Sequence, residues 1–224
     1  MKLAKHLLTI VIASTALIFS SCKKENTSSS PSGINYQMRA ISPTSIISRT
    51  TAGNFTWTSG YAYATEIKFE AESRNVEVEY KSQIPQRIDL FNGVVNLGNI
   101  TLPAGTYDEV EFEVTLNSNG SNSALELNGQ FTSGATTTPV IFKVLSQLEV
   151  ENERNNVVIT DNNGYKALTT LNLSLLTTGV SEVMLNNAVR TNGTIVISAT
   201  SNSTIYNIIL NNLEECDGVE FEDD

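Results

Sequence analysis

Histidine, cysteine and tryptophan are the scarce residues of this chain, and each scarcity removes a class of chemistry. One histidine is present, His6, alongside two cysteines, Cys22 and Cys216, and one tryptophan, Trp57. His6 falls in a leader-like segment expected to be removed, so the mature body is expected to carry no imidazole. Ser-His-Asp and Cys-His catalysis and histidine-ligated zinc are thereby excluded. Cys216 has no base to activate it, and with Cys22 modified it has no disulfide partner either. The expected role is an inert thiol near the chain end. No G-x-G-x-x-G run and no Walker lysine loop occurs, which removes the usual phosphate cradles. No cofactor and no metal site is expected. An Asp161-Asn162-Asn163-Gly164 stretch invites a calcium reading, but an EF-hand loop needs Gly at position six and Glu at twelve. Here Gly comes fourth and the twelfth residue is Asn172, so a hairpin turn is expected instead.

Positive charge is also scarce. The chain has 14 basic against 24 acidic side chains, and loss of residues 1–21 would remove Lys2 and Lys5, moving the formal charge from −10 to −12. Nucleic-acid binding requires a basic stripe that displaces counterions from phosphate. No segment supplies one, and attraction to anionic lipid headgroups is excluded on the same ground. Long apolar runs are missing too. The longest, Leu7–Phe19, has thirteen residues interrupted by Thr9, Ser14 and Thr15, short of the roughly 20 that cross a bilayer.

That short run has another meaning. Lys2 and Lys5 precede it and Ser20-Ser21-Cys22 follow it, the order of a charged region, an apolar region and a small-residue cleavage site. Because the site ends in cysteine, Phe19-Ser20-Ser21-Cys22 resembles a lipobox, with Phe19 in place of the usual aliphatic residue. The expectation is a signal peptide over residues 1–21 and acylation of Cys22, palmitate included, so that fatty chains hold the protein to a membrane. Lys23–Gly33 (KKENTSSSPSG) is polar and Ser-rich, so residues 22–33 are expected to form the lipidated start and a flexible tether. Lys23-Lys24-Glu25 partly resembles the surface-export signal of Bacteroidota lipoproteins. The expected address is the cell envelope, anchored to the outer membrane on its periplasmic or surface face.

Residues 34–224 are expected to form one domain, a length that single β-sandwiches reach. Glu66–Glu72 alternates charge with Ile67, Phe69 and Ala71. Val76, Val78 and Tyr80 alternate with Glu77, Glu79 and Lys81, and Val110–Leu116 alternates with Glu109, Glu111 and Glu113. Period-2 alternation of this kind marks strands with one wet face, the habit of antiparallel sheets. Turn dipeptides such as Asn92-Gly93, Asn119-Gly120 and Asn192-Gly193 punctuate the runs. Leu125–Phe131 is expected to be a tight hairpin on Asn128-Gly129. Further strands are expected at Pro139–Leu145, Asn156–Thr160, Lys166–Leu175, Thr194–Ala199 and Thr204–Leu210. One short crossover helix is expected at Thr178–Val189, from Val180, Val183, Met184 and Asn187 at helical spacing, with Met184 as core filler. The fold class expected is therefore a single antiparallel all-β sandwich, with the acidic C-terminal tail as its last edge strand and solvated end rather than the alternative, a cation site.

Two candidate sites emerge. Glu109, Glu111 and Glu113 have the spacing at which two carboxylates could serve a glycosidase, though any soluble strand presents such a face. Trp57, Tyr61 and Tyr63 have odd spacing, so one continuous strand would point all three rings the same way. Exposed, they would stack on a glycan; turned inward, they would be core.

At Ile88-Asp89-Leu90-Phe91-Asn92-Gly93, Leu97-Gly98-Asn99-Ile100-Thr101 and Leu102-Pro103-Ala104-Gly105-Thr106-Tyr107, the sequence resembles bacterial lipoproteins that carry the domain of unknown function 4382. The resemblance covers Thr65–Thr115 best and implies an immunoglobulin-like or prealbumin-like sandwich, with Leu102–Tyr107 as strand, tight turn and strand. The family's L-T-D-A-P-like turn is replaced here by Ala40-Ile41-Ser42-Pro43, and no catalytic residue carries over. The function expected is that of a non-enzymatic envelope lipoprotein that binds a glycan or an envelope protein. The alternative is a structural anchor or adhesin subunit of a fimbria-like assembly, and a carboxylate-dependent glycosidase is the remote one.

Overall fold

The computed structural model describes residues 32–41, 54–74, 76–83, 85–161, 163–213 and 218–223. The expectations placed on residues 1–31, on Cys22 and on Cys216 lie outside these. The elements are β1 (Ser32–Ile41), β2 (Asn54–Ser73), β3 (Val76–Ser82), β4 (Gln86–Asp89), β5 (Val95–Leu102), β6 (Gly105–Leu116), β7 (Leu125–Ser133) and β8 (Thr136–Val144). They continue with β9 (Leu148–Ile159), β10 (Gly164–Asn172), α1 (Glu182–Asn186), β11 (Arg190–Thr191), β12 (Thr194–Ile197), α2 (Ser203–Leu213) and β13 (Val219–Asp223).

The all-β expectation holds. Two sheets form, one in the order β13-β10-β1-β5 and one in the order β11-β12-β8-β7-β2-β6-β9, with β3 and β4 also paired to β2. Both are mixed rather than antiparallel, because β1 runs parallel to β10 and β8 parallel to β12. Strand β2 is long enough to serve two neighbourhoods. Its first half pairs with β7, and its second half lies between β3 and β6.

The four-stranded sheet covers the second half. Tyr36 of β1 meets Phe112 of β6 with ring centroids 4.9 Å apart, and Phe69 meets Phe112 at 5.1 Å. Phe221 of β13 closes on Tyr165 at 5.5 Å. Polar groups caught between the sheets are paired, as burial demands. The Tyr36 hydroxyl and Thr169 Oγ1 share a bond of 3.1 Å, and Asn152 Nδ2 donates to the same oxygen at 3.5 Å.

Helix α2 covers the first half, through Ile205, Tyr206, Ile209 and Leu213, with Tyr206 centred 5.7 Å from Phe142 of β8. This corrects the strand expected at Thr204–Leu210. Its β-branched residues favour a strand by composition, but its buried positions recur at helical spacing. The helix expected at Thr178–Val189 shrinks to α1, capped by Ser181, whose hydroxyl accepts from the Met184 N–H. Val180, Leu185 and Ala188 turn inward with Met184 packed against them, while Val183 is exposed. The described residues thus hold two helices where one was expected.

The Asn128-Gly129 hairpin is likewise corrected. Both residues lie inside β7, and the turn to β8 comes at Gly134-Ala135, with Gly134 at φ 60°. A Cβ on Gly129 would sit 2.6 Å from the Thr56 carbonyl oxygen and 3.0 Å from the Trp57 ring, so this glycine admits a close approach rather than making a turn. The Leu102–Gly105 and Thr160–Gly164 connections each carry the chain from one sheet to the other, so the latter is not a hairpin. In the former, the Tyr107 hydroxyl donates to the Pro103 carbonyl at 2.9 Å. Strand β1, which was not expected, begins at Ser32, two residues before the domain start read from the sequence.

Candidate functional site

The alternation that marks β2, β3 and β6 as strands also decides what their outer face presents. Partners across a ladder share a face. Lys68 is paired with Lys81 and Glu113, Glu70 with Glu79 and Glu111, and Glu72 with Glu77 and Glu109. On the other side of β6, Glu111 is paired with Glu153, Glu113 with Glu151 and Thr115 with Glu149. With Glu66, eleven carboxylates share this face of β3-β2-β6-β9 with two lysines. Lys68 is the hub: its Nζ lies 2.9 Å from Glu70, 3.6 Å from Glu111 and 3.9 Å from Glu113. These bonds raise its pKa above the ordinary lysine value, with Glu70 the largest cause. Lys81 binds Glu66, whose carboxyl is held below its usual range chiefly by that bond.

The crowding raises other carboxyls. Glu109 is pushed up chiefly by the like charge of Glu153, and Glu111 chiefly by burial, against the pull of Lys68. The sequence reading missed this, because the neighbours responsible lie on β9 and are distant along the chain. Glu109, Glu111 and Glu113 stand on an open face. The depression beside them, about 340 Å³, is lined by Ser73, Arg74, Thr106 and Asp108, with one carboxylate among the four. Among the described residues, no group of three Asp, Glu, His or Cys side chains is placed to hold a metal ion.

The three aromatic residues do not form a platform. Strand β2 carries register shifts between Trp57 and Ser59 and between Ala64 and Glu66, and each bulge turns the following side chains to the other face. Phe55 and Trp57 are core, then Ala62 and Ala64, then Ile67 and Phe69. Trp57 is 5% exposed and lies edge-on to Phe55, 4.7 Å between centroids, its indole N–H buried without a hydrogen-bond partner. Tyr61 and Tyr63 fall between the bulges, on the opposite side. Tyr61 is 8% exposed, with the Arg87 guanidinium 4.1 Å above its ring and its hydroxyl accepting from the Ser123 N–H at 3.1 Å. Tyr63 is half-buried. The bulges had no signal in the sequence beyond the Ser59-Gly60 step and the small residues Ala62 and Ala64.

Among the described residues no helix is long and apolar enough to cross a membrane. No protein-family model, no curated protein and no solved structure matches this chain, so the functional reading rests on the residues themselves.

Proposed function

We propose that this chain is a non-enzymatic lipoprotein of the bacterial cell envelope, its β-rich body held to a membrane by acyl chains on Cys22. The observation that carries the reading is the order of parts before the first strand. A charged start, a thirteen-residue apolar run and Ser20-Ser21 lead to Cys22, and a polar stretch then ends ten residues later at Ser32. It joins the body at β1, a strand bonded on both sides by β10 and β5.

The body binds rather than transforms. Trp57 is core and Tyr61 lies under Arg87, so these rings are taken up by packing. An envelope protein is therefore the better-fitting partner than a glycan. The membrane-facing end is the one that carries Ser32, whose hydroxyl bonds to the Thr160 carbonyl.

Labelling with an alkyne-tagged palmitate, followed by membrane fractionation, tests the proposal. The full chain is expected to take the label and to sediment with membranes. Cys22→Ala is expected to lose the label and to retain residues 1–21. A labelled Cys22→Ala protein, or a full chain that takes no label, would refute the assignment.

A further inference from the structure

Six strands have a hydrogen-bonded neighbour on one side only among the described residues: β3, β4, β5, β9, β11 and β13. Five of them carry charge, the commonest device by which soluble proteins keep strand edges from pairing. Strand β9 has Glu149, Glu151, Glu153 and Arg154; β3 has Glu77, Glu79 and Lys81; β13 has Glu220, Glu222 and Asp223; β4 has Arg87 and Asp89; β11 has Arg190. Strand β5, Val95-Asn96-Leu97-Gly98-Asn99-Ile100-Thr101-Leu102, carries none. An extra residue at Leu97 interrupts its pairing with β1, and Pro103 follows it, so the regular part of the edge is Gly98–Leu102.

We propose that this edge joins two copies of the chain, β5 pairing antiparallel with β5 of a second copy to extend each four-stranded sheet into one of eight strands. Charge selects the occupant. The chain is strongly acidic, so a second copy meeting β3, β9 or β13 would bring rows of carboxylates against its own. At β5 a neutral strand meets a neutral strand. The side-chain pattern is self-complementary as well. Ile100 and Leu102 are buried, whereas Asn99 and Thr101 are exposed. An antiparallel pairing about Ile100 sets Asn99 opposite the partner's Thr101, which leaves the polar face polar and the apolar face continuous. Two-fold symmetry makes that contact twice with the same patch.

Sedimentation velocity on the full chain in detergent tests this, with hydrogen exchange read at the Gly98–Leu102 amides. Thr101 is exposed and Asn99 already accepts a bond from Asn35, so Thr101→Glu is the variant of choice. The expected result is a dimer for the unaltered chain, and a dissociation constant raised roughly threefold or more in Thr101→Glu, whose two introduced carboxylates lie diagonally across the ladder, each opposite the partner's Asn99. Exchange at Gly98–Leu102 should quicken in the variant while the rest of the protein keeps its protection. Should Thr101→Glu fail to fold, Thr101→Lys is expected to weaken the dimer likewise. A monomer at every concentration overturns the proposal, as does a dimer that a folded charged variant leaves undiminished.

Discussion

At Gly129 the identity of a residue is dictated by a ring on the neighbouring strand. The Trp57 indole lies over it and the Thr56 carbonyl beside it, so any side chain would force β2 and β7 apart. Gly129→Ala is expected to destabilise the fold by about 1–3 kcal/mol, the usual cost of overpacking a tight site, read as a lower urea midpoint. At Glu109 the deciding influence is charge. Its carboxyl is raised above the ordinary value, chiefly by Glu153, so the folded state binds its proton more readily than the unfolded chain does. Its contribution to stability is therefore fully present below the unfolded pKa and is lost as pH rises through the folded one. Glu109→Gln is expected to melt at a higher temperature than the parent at pH 7. The gain should fade toward pH 3 and shrink in high salt, which screens exposed charges. A gain that grew on acidification would contradict the like-charge account.

Elements built by strict alternation were legible in the sequence; those whose form depends on distant partners were not. The Glu66–Glu72, Val76–Lys81 and Val110–Leu116 strands follow from period-2 patterning alone. Asn192-Gly193, with φ of 50° and 82°, joins β11 to β12 as such a dipeptide should. Helix α2 was read as a strand because Thr204, Ile205, Ile208 and Ile209 are β-branched. What decides for helix is the face of β8 and β12 that Ile205, Tyr206 and Ile209 cover, information held elsewhere in the chain. Ile209 is fully buried, and Ile209→Ala is expected to cost about 2–5 kcal/mol. A loss below 0.5 kcal/mol, the range of surface substitutions, would mean α2 is not the lid of that half-sheet. The aromatic site failed for a related reason. Odd spacing puts three rings on one side only of an unbroken strand, and the bulge of β2 between Trp57 and Ser59 sets Trp57 on one face and Tyr61 and Tyr63 on the other.

Taken whole, the molecule is a long sheet covered over one half by a second sheet and over the other by helices. One broad outer face is acidic, and one sheet edge, β5, is free of charge. The proposed anchor at Cys22 precedes β1, an interior strand of the four-stranded sheet, by ten residues. The proposed function depends on Cys22 being the start of the mature chain and the point of attachment. The most direct measurement is intact mass spectrometry of the protein recovered from membranes, with fragmentation of its first residues. The account predicts a chain that begins at Cys22 and carries added acyl mass on that residue; a chain that retains residues 1–21, or begins elsewhere with an unmodified Cys22 thiol, would contradict it.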